Sequence, residues 1–253
     1  MTQTIIAVVN QKGGVGKTTT SINLAAELAS DKTSVLLVDL DPQGNATSGL
    51  GLAKQNAVHT TYDVLCNAMD LAKVVQETHV AQLYVVPANA NLAGAEVELV
   101  GREAREFALK KALAGATYDY IIIDCPPSLG LLTINGLTAA TTVLIPVQTE
   151  YYALEGLSQL LDTIQAVRGS TNPQLDLMGI ALTMYDKRNS LSEQVQAEVS
   201  KYFGDKLFKT VVPRNVRLAE APSYGRTISE HDRWSKGARA YKSLAKEVKQ
   251  RAG

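Results

Sequence analysis

Ile5-Ile6-Ala7-Val8-Val9-Asn10-Gln11-Lys12-Gly13-Gly14-Val15-Gly16-Lys17-Thr18-Thr19-Thr20 decides the fold. An apolar run, 5–9, has the length and composition of a buried strand. It passes into a glycine-rich turn, and the turn into an amphipathic stretch, 18–30, that reads as a helix. Strand, glycine loop and helix in that order make a phosphate-binding loop. Gly13, Gly14 and Gly16 permit backbone angles that bulkier residues resist. Successive N–H groups of 12–16, Val15 among them, can then converge on phosphate oxygens. The positive end of the following helix adds to that attraction. Lys17 is placed to reach the β and γ phosphates and the Thr18 hydroxyl to ligate Mg²⁺. Thr19 falls where an α-phosphate would lie.

Outward from this loop, short apolar runs alternate with longer amphipathic ones. Strands are expected at 5–9, 35–39, 83–87, 120–124, 142–146, 178–183 and 207–212. Most are rich in Val and Ile without strict alternation, as strands covered on both faces are. Helices are expected at 18–30, 92–114, 131–140, 153–168, 191–202 and 235–251. The polar stretch 40–59 reads as a long loop after the second strand. The alternation implies a doubly wound α/β fold, a mainly parallel sheet flanked by helices. No linker or repeat divides the chain, so 1–253 is expected to form a single P-loop ATPase domain.

A phosphate loop needs a metal carboxylate and a group that orients the attacking water. In a parallel sheet the strand C-termini face the ligand crevice. The second strand ends in Asp39-Leu40-Asp41-Pro42-Gln43-Gly44-Asn45, so both aspartates are aimed at the site. Asp41 is the choice for positioning water, near the metal shell; Asp39 orients that shell or holds the loop. Tyr120-Ile121-Ile122-Ile123-Asp124 is an apolar run closed by an acid, and Asp124 is expected to hold Mg²⁺ through water. Pro126-Pro127-Ser128 follows as a stiff turn.

The bulk properties remove other classes. The chain has 253 residues, 45% hydrophobic and 20% charged, ordinary values for a globular protein. Cys66 and Cys125 form no C-x-x-C pair, so no disulfide framework or thiolate metal site is suggested. No apolar run approaches the ~18 residues needed to span a bilayer. No basic leader precedes the first strand. Net charge is zero but uneven. Residues 187–253 hold 15 Lys and Arg against 7 Asp and Glu, a balance of +8, and residues 1–186 hold 10 against 18, a balance of −8. A basic C-terminal portion suits a polyanion, or is simply a solvated surface.

One departure narrows the reading. Gln11 stands where a standard phosphate loop has its first glycine, and Lys12 follows it. Lys12-Gly13-Gly14-Val15-Gly16-Lys17-Thr18 resembles the deviant Walker A motif of the ParA/MinD superfamily. The runs through Asp39 and Asp41 and through Asp124 resemble the same family, in the expected order. Thr183-Met184-Tyr185-Asp186-Lys187-Arg188-Asn189 and Val212-Pro213-Arg214-Asn215-Val216-Arg217-Leu218-Ala219-Glu220-Ala221-Pro222-Ser223 are similar to its chromosomal ParA/Soj branch, and the likeness runs from Ile5 to about Lys249.

That resemblance implies an ATP-dependent DNA-partitioning ATPase with ATP and Mg²⁺ as cofactors and slow intrinsic turnover. It implies a homodimer closed by ATP, with Lys12 of each subunit reaching the nucleotide of the other. It places Pro213 and Asn215 against adenine. It makes Arg188 and Arg217 DNA contacts, with Arg214, Arg226, Lys236 and Lys242 as possible extensions of that patch. Phosphate contacts of this kind bind DNA non-specifically and weaken with salt. A ParB-like centromere-binding protein is the expected partner that stimulates hydrolysis and releases the dimer. The expected setting is cytoplasmic and nucleoid-associated. Only eleven residues precede Lys12, so no N-terminal helix-turn-helix domain is expected. The alternative is a MinD-like membrane-associated positioning ATPase, which needs a bulky amphipathic C-terminal anchor. The face offered by 241–251 is thin and better suited to packing. An iron–sulfur relative would need paired interface cysteines.

Overall fold

The computed structural model describes residues 3–150 and 155–252. Seven strands form its sheet: β1 (Thr4–Val8), β2 (Val35–Asp39), β3 (Gln76–Glu77), β4 (Leu83–Val86), β5 (Tyr120–Asp124), β6 (Thr142–Gln148) and β7 (Asp176–Thr183). Their order is β3-β4-β2-β5-β1-β6-β7. Every pair is parallel except β3 with β4, a two-residue antiparallel edge. This is the doubly wound, mainly parallel α/β architecture expected from the sequence.

The lack of strict alternation in these strands has a direct cause. Ile6 and Val8 of β1, Val35 and Leu37 of β2, and Ile122 of β5 enter one apolar cluster. Ala7, Leu36, Val38, Ile121 and Ile123 enter another on the opposite face. Both faces are dry, so every position must be apolar. The first face is covered by helices Lys17–Leu28 and Lys236–Ala252. Helices Thr61–Cys66, Ala108–Leu113, Leu131–Ala139, Glu155–Ser170 and Ser190–Phe203 cover the second. In helix Lys236–Ala252, Tyr241, Leu244, Ala245 and Val248 recur at helical spacing and are buried. That thin apolar face therefore packs on the sheet, and no helix among the described residues is long and apolar enough to cross a membrane.

Three sequence expectations are corrected. Residues 92–114 do not form one helix; they break into short 3-10 and α segments, with Ala104 at φ 52 between Leu99–Gly101 and Arg105–Phe107. Residues 207–212 make a single bridge to β7, Leu207 with Ile180, rather than a strand, because only Phe208 and Val212 donate to its carbonyls. The N–H groups of Lys209 and Thr210 turn instead to the Glu247 carboxylate, at 2.9 and 2.8 Å. The polar stretch 40–59 is not all loop, since Asn45–Gly49 is helical. Residues 153 and 154 of the expected helix 153–168 lie outside the described residues, and the helix is described from Glu155 to Ser170.

Candidate active site

The glycine loop between β1 and the helix Lys17–Leu28 takes its shape from two left-handed residues, Gly14 at φ 78 and Gly16 at φ 88. Any side chain would be strained there. Gly13 is different: its φ is not left-handed, and a Cβ would meet nothing within 4 Å. Side chains distant in sequence pin the loop. Asn10 Nδ2 donates to Pro146 O at 2.7 Å, and Asn10 Oδ1 accepts from Lys12 N at 2.9 Å. Thr183, at the end of β7, donates from Oγ1 to Val15 O at 2.8 Å. Asn10 and Thr183 are supports that sequence reading missed, because both act across the sheet. Lys17 folds back over its own loop, donating from Nζ to Lys12 O at 3.0 Å. Burial pushes its pKa down, opposed by the charges of Asp124 and Asp41.

Register brings the acids together. Asp39 lies opposite Asp124 in the β2–β5 ladder, and Val8, at the start of the loop, lies opposite Asp124 on the other side. Asp39 is committed to structure: its Oδ2 accepts from Thr47 N at 2.8 Å and from Thr47 Oγ1 at 2.6 Å. It therefore holds helix Asn45–Gly49 beneath the crevice. Asp41 is buried, with Oδ1 accepting from Gln43 N at 2.9 Å. Asp124 accepts from Ser21 Oγ at 2.8 Å through Oδ1, while its Oδ2 is buried with no hydrogen-bond partner. Burial, then the charge of Asp39, raises the Asp124 pKa to about 7; the Ser21 hydrogen bond and the nearby Thr18 hydroxyl act the other way. Burial raises Asp39 to about 6.

The unpartnered Asp124 oxygen beside Thr18 is the observation that tests a metal here. A buried carboxylate oxygen without a donor is costly unless something satisfies it. No group of three or more His, Cys, Asp and Glu side chains forms a metal cage among the described residues. That suits Mg²⁺, which takes one or two protein oxygens and fills its octahedron with water and phosphate. Thr18 and Asp124 fit such a site.

A cavity of about 300 Å³ opens beside Gly16 and Thr19. Pro213 and Asn215 line it, with Thr183, Met184 and Tyr241. Tyr241 is a further wall residue that the sequence did not mark; its buried hydroxyl lies 3.1 Å from Thr20 Oγ1. Asn215 Oδ1 already accepts from Arg217 N at 2.9 Å, capping helix Val216–Glu220. Its amide NH₂ is the group left for a base edge.

Lys12 points away from its own loop and pairs with Glu150 at 2.6 Å, with both side chains about half exposed. Arg188, Arg214 and Lys236 share a second cavity of about 940 Å³ with Lys187 and Arg239. It adjoins the first through Pro213, Arg214 and Val216. Arg217 pairs with Glu220 at 2.9 Å. Arg226 lies elsewhere, in a separate opening with His79, Tyr224 and Glu230. Lys242 lines neither of the two adjoining cavities.

Known proteins resemble this arrangement closely. A family model described as an AAA domain matches residues 3–177. The sporulation initiation inhibitor protein Soj of Bacillus subtilis is 58% identical over 246 residues, 96% of this chain and 97% of that protein. The chromosome-partitioning ATPase Soj of Treponema pallidum is 53% identical over 97% of this chain and 96% of its own. Among solved structures, cobyrinic acid a,c-diamide synthase from Mycobacterium smegmatis, with bound ATP analogue and magnesium, superposes with a TM-score of 0.85 at 40% identity, covering 96% of this chain and 93% of that one.

Proposed function

The chain belongs to the Soj/ParA family of chromosome-partitioning ATPases, and on that footing we propose that it hydrolyses ATP to drive a cycle of dimerisation and non-specific DNA binding. The observation that carries the proposal is the convergence of Lys17, Thr18, Asp41 and Asp124 on the loop shaped by left-handed Gly14 and Gly16. ATP and Mg²⁺ are its cofactors. Loop N–H groups and Lys17 bind the phosphates, while Pro213 and Asn215 hold the base. Thr18 and Asp124 hold the metal, which supplies charge neutralisation on the transferring phosphoryl group. Asp41 orients the attacking water.

The loop alone leaves the transition-state charge incompletely met. Lys12 of a second subunit supplies the missing cation, in the manner of an arginine finger. For this it must leave Glu150, an exposed pair of small worth. Dimerisation sums two basic faces, and because phosphate contacts add, DNA affinity rises steeply. Arg188 and Arg217 are the leading contacts, supported by Arg214 and Lys236; Arg226, in a separate opening, and Lys242, outside both cavities, are peripheral to that face. A ParB-like protein stimulates hydrolysis and frees the dimer, so the protein works in the cytoplasm on the nucleoid. The buried apolar face of helix Lys236–Ala252 supports DNA over a membrane as the surface it visits.

An electrophoretic shift on random-sequence duplex tests this reading. Binding is expected with ATP and Mg²⁺, weakly or not with ADP, and lost in Arg217→Glu. Equal binding in every nucleotide state would overturn it, as would ATP-dependent pelleting with liposomes in place of DNA.

A further inference from the structure

The two arginines proposed to lead DNA binding are already engaged by acids of their own chain. Arg188 presents Nε and Nη2 together to Asp186, at 3.1 Å from Oδ1 and 2.9 Å from Oδ2. This is the forked geometry in which guanidinium meets a phosphate. Arg217 meets Glu220 through one nitrogen only, with Asp232 at 3.8 Å. Lys187, Arg214, Lys236 and Arg239 line the same cavity as Arg188. None of them has an ion pair within 4 Å among the described residues. The cavity therefore holds four open cations and one capped one.

The cap is built into the backbone. Asp186 Oδ1 also accepts from Arg188 N at 3.0 Å, its own N–H donates to Ser192 Oγ at 3.3 Å, and its carbonyl accepts from Asn189 N at 3.0 Å. Swinging the carboxylate aside would cost the bond from Arg188 N as well as the Arg188 fork. It is ionised at neutral pH, as an ordinary aspartate is, and the Arg188 bonds pull its pKa down further, to about 2.

We infer that Asp186 is an affinity-setting residue of the DNA face, competing with DNA phosphate for the Arg188 fork. The inference rests on the DNA reading given above. It keeps the grip of one subunit weak, so that retention on DNA requires two. Such a competitor lowers the number of phosphates the face neutralises, and the salt dependence reads that number directly.

Asp186→Asn keeps an Oδ1 acceptor for Arg188 N, removes the charge and turns the Oδ2 acceptor of the fork into an NH₂ donor. Fluorescence anisotropy on random-sequence duplex in ATP and Mg²⁺, across a salt series, is the test. Asp186→Asn is expected to bind about five- to tenfold tighter near 0.1 M salt, with a log K against log salt slope steeper by about 0.9, the increment for one added phosphate contact. In an Arg188→Ala background the same substitution is expected to change neither quantity. An equal gain without Arg188 would mean a general charge effect and overturn the competition. So would wild-type affinity and slope in Asp186→Asn while wild type binds in an ATP-dependent way. Failure of wild type to bind DNA at all would instead overturn the DNA reading, and this inference with it.

Discussion

Asp124 carries a measurable cost at the scale of a single residue. Its carboxyl holds a proton up to about pH 7 in the fold, against 3.8 for an ordinary aspartate. Across that window the native state binds more protons than the unfolded chain, so stability falls as pH rises. Asp39, raised to about 6, acts in the same direction. Asp124→Asn is therefore expected to melt above wild type at pH 8 without nucleotide, the gap closing toward pH 4; a gap independent of pH in thermal melts would contradict the ionisation argument. The same substitution should abolish Mg²⁺-dependent hydrolysis, since an amide cannot offer the metal a charged oxygen. Asp41 differs in its contacts: of the three acids it alone holds no neighbour's side chain among the described residues, its Oδ1 accepting from Gln43 N. Asp41→Ala is expected to slow turnover by about 10²–10⁴-fold, the range for a lost positioning group, while ATP binding, read by fluorescent-analogue titration, survives.

Between elements, the decisive contact is one that joins β7 to the glycine loop. Thr183→Val keeps the side-chain shape but leaves Val15 O, on a buried residue, without its donor. The cost is about 1–3 kcal/mol, and ATP affinity is expected to fall with it. Unchanged melting temperature and ATP affinity would show that the loop is held by its glycines alone. Helix Leu131–Ala139 is seated just as closely: a Cβ on Gly136 would lie 2.8 Å from Cys125 Sγ and 3.3 Å from Leu40. Gly136→Ala should then destabilise by about 1–3 kcal/mol through overpacking next to the Asp124 strand, as a denaturant midpoint would report. These contacts explain what the sequence left illegible. The strands, the glycine loop and Asp39, Asp41 and Asp124 could be read because each signal is local: an apolar run, a turn, an acid at a strand end. Asn10, Thr183 and Tyr241 could not, since their partners lie 136, 168 and 221 residues away. The apolar spacing of 92–114 suggested one helix, yet Gly94 and Gly101 sit inside it and Ala104 is left-handed. In 207–212 the apolar run was real, but Glu247 captured two of its N–H groups.

Over the whole molecule, the separation of charge gains a location. The phosphate loop and its acids belong to the part with a balance of −8, and the +8 of residues 187–253 supplies the cavity of about 940 Å³ and the neighbouring Arg217. The cavity proposed for the base shares Pro213, Arg214 and Val216 with it, so the proposed nucleotide and DNA faces have a common wall. Binding should weaken steeply between about 50 and 200 mM salt, as it does when several phosphates are neutralised together. In the proposed cycle, the lysine turned outward from its own loop is what makes hydrolysis depend on a second subunit. Mixing two inactive variants tests that most directly. Lys12→Ala lacks the cation that it lends, and Asp41→Ala lacks the water-orienting acid of its own site, so each alone is expected to hydrolyse ATP near background. In a one-to-one mixture about half the dimers are mixed, and in each of these one site of the two has its own Asp41 and receives Lys12 from the other subunit, so about a quarter of the wild-type rate should return if the lysine acts in trans. A mixture no faster than its components, or full activity in Lys12→Ala alone, would contradict a site completed by its partner.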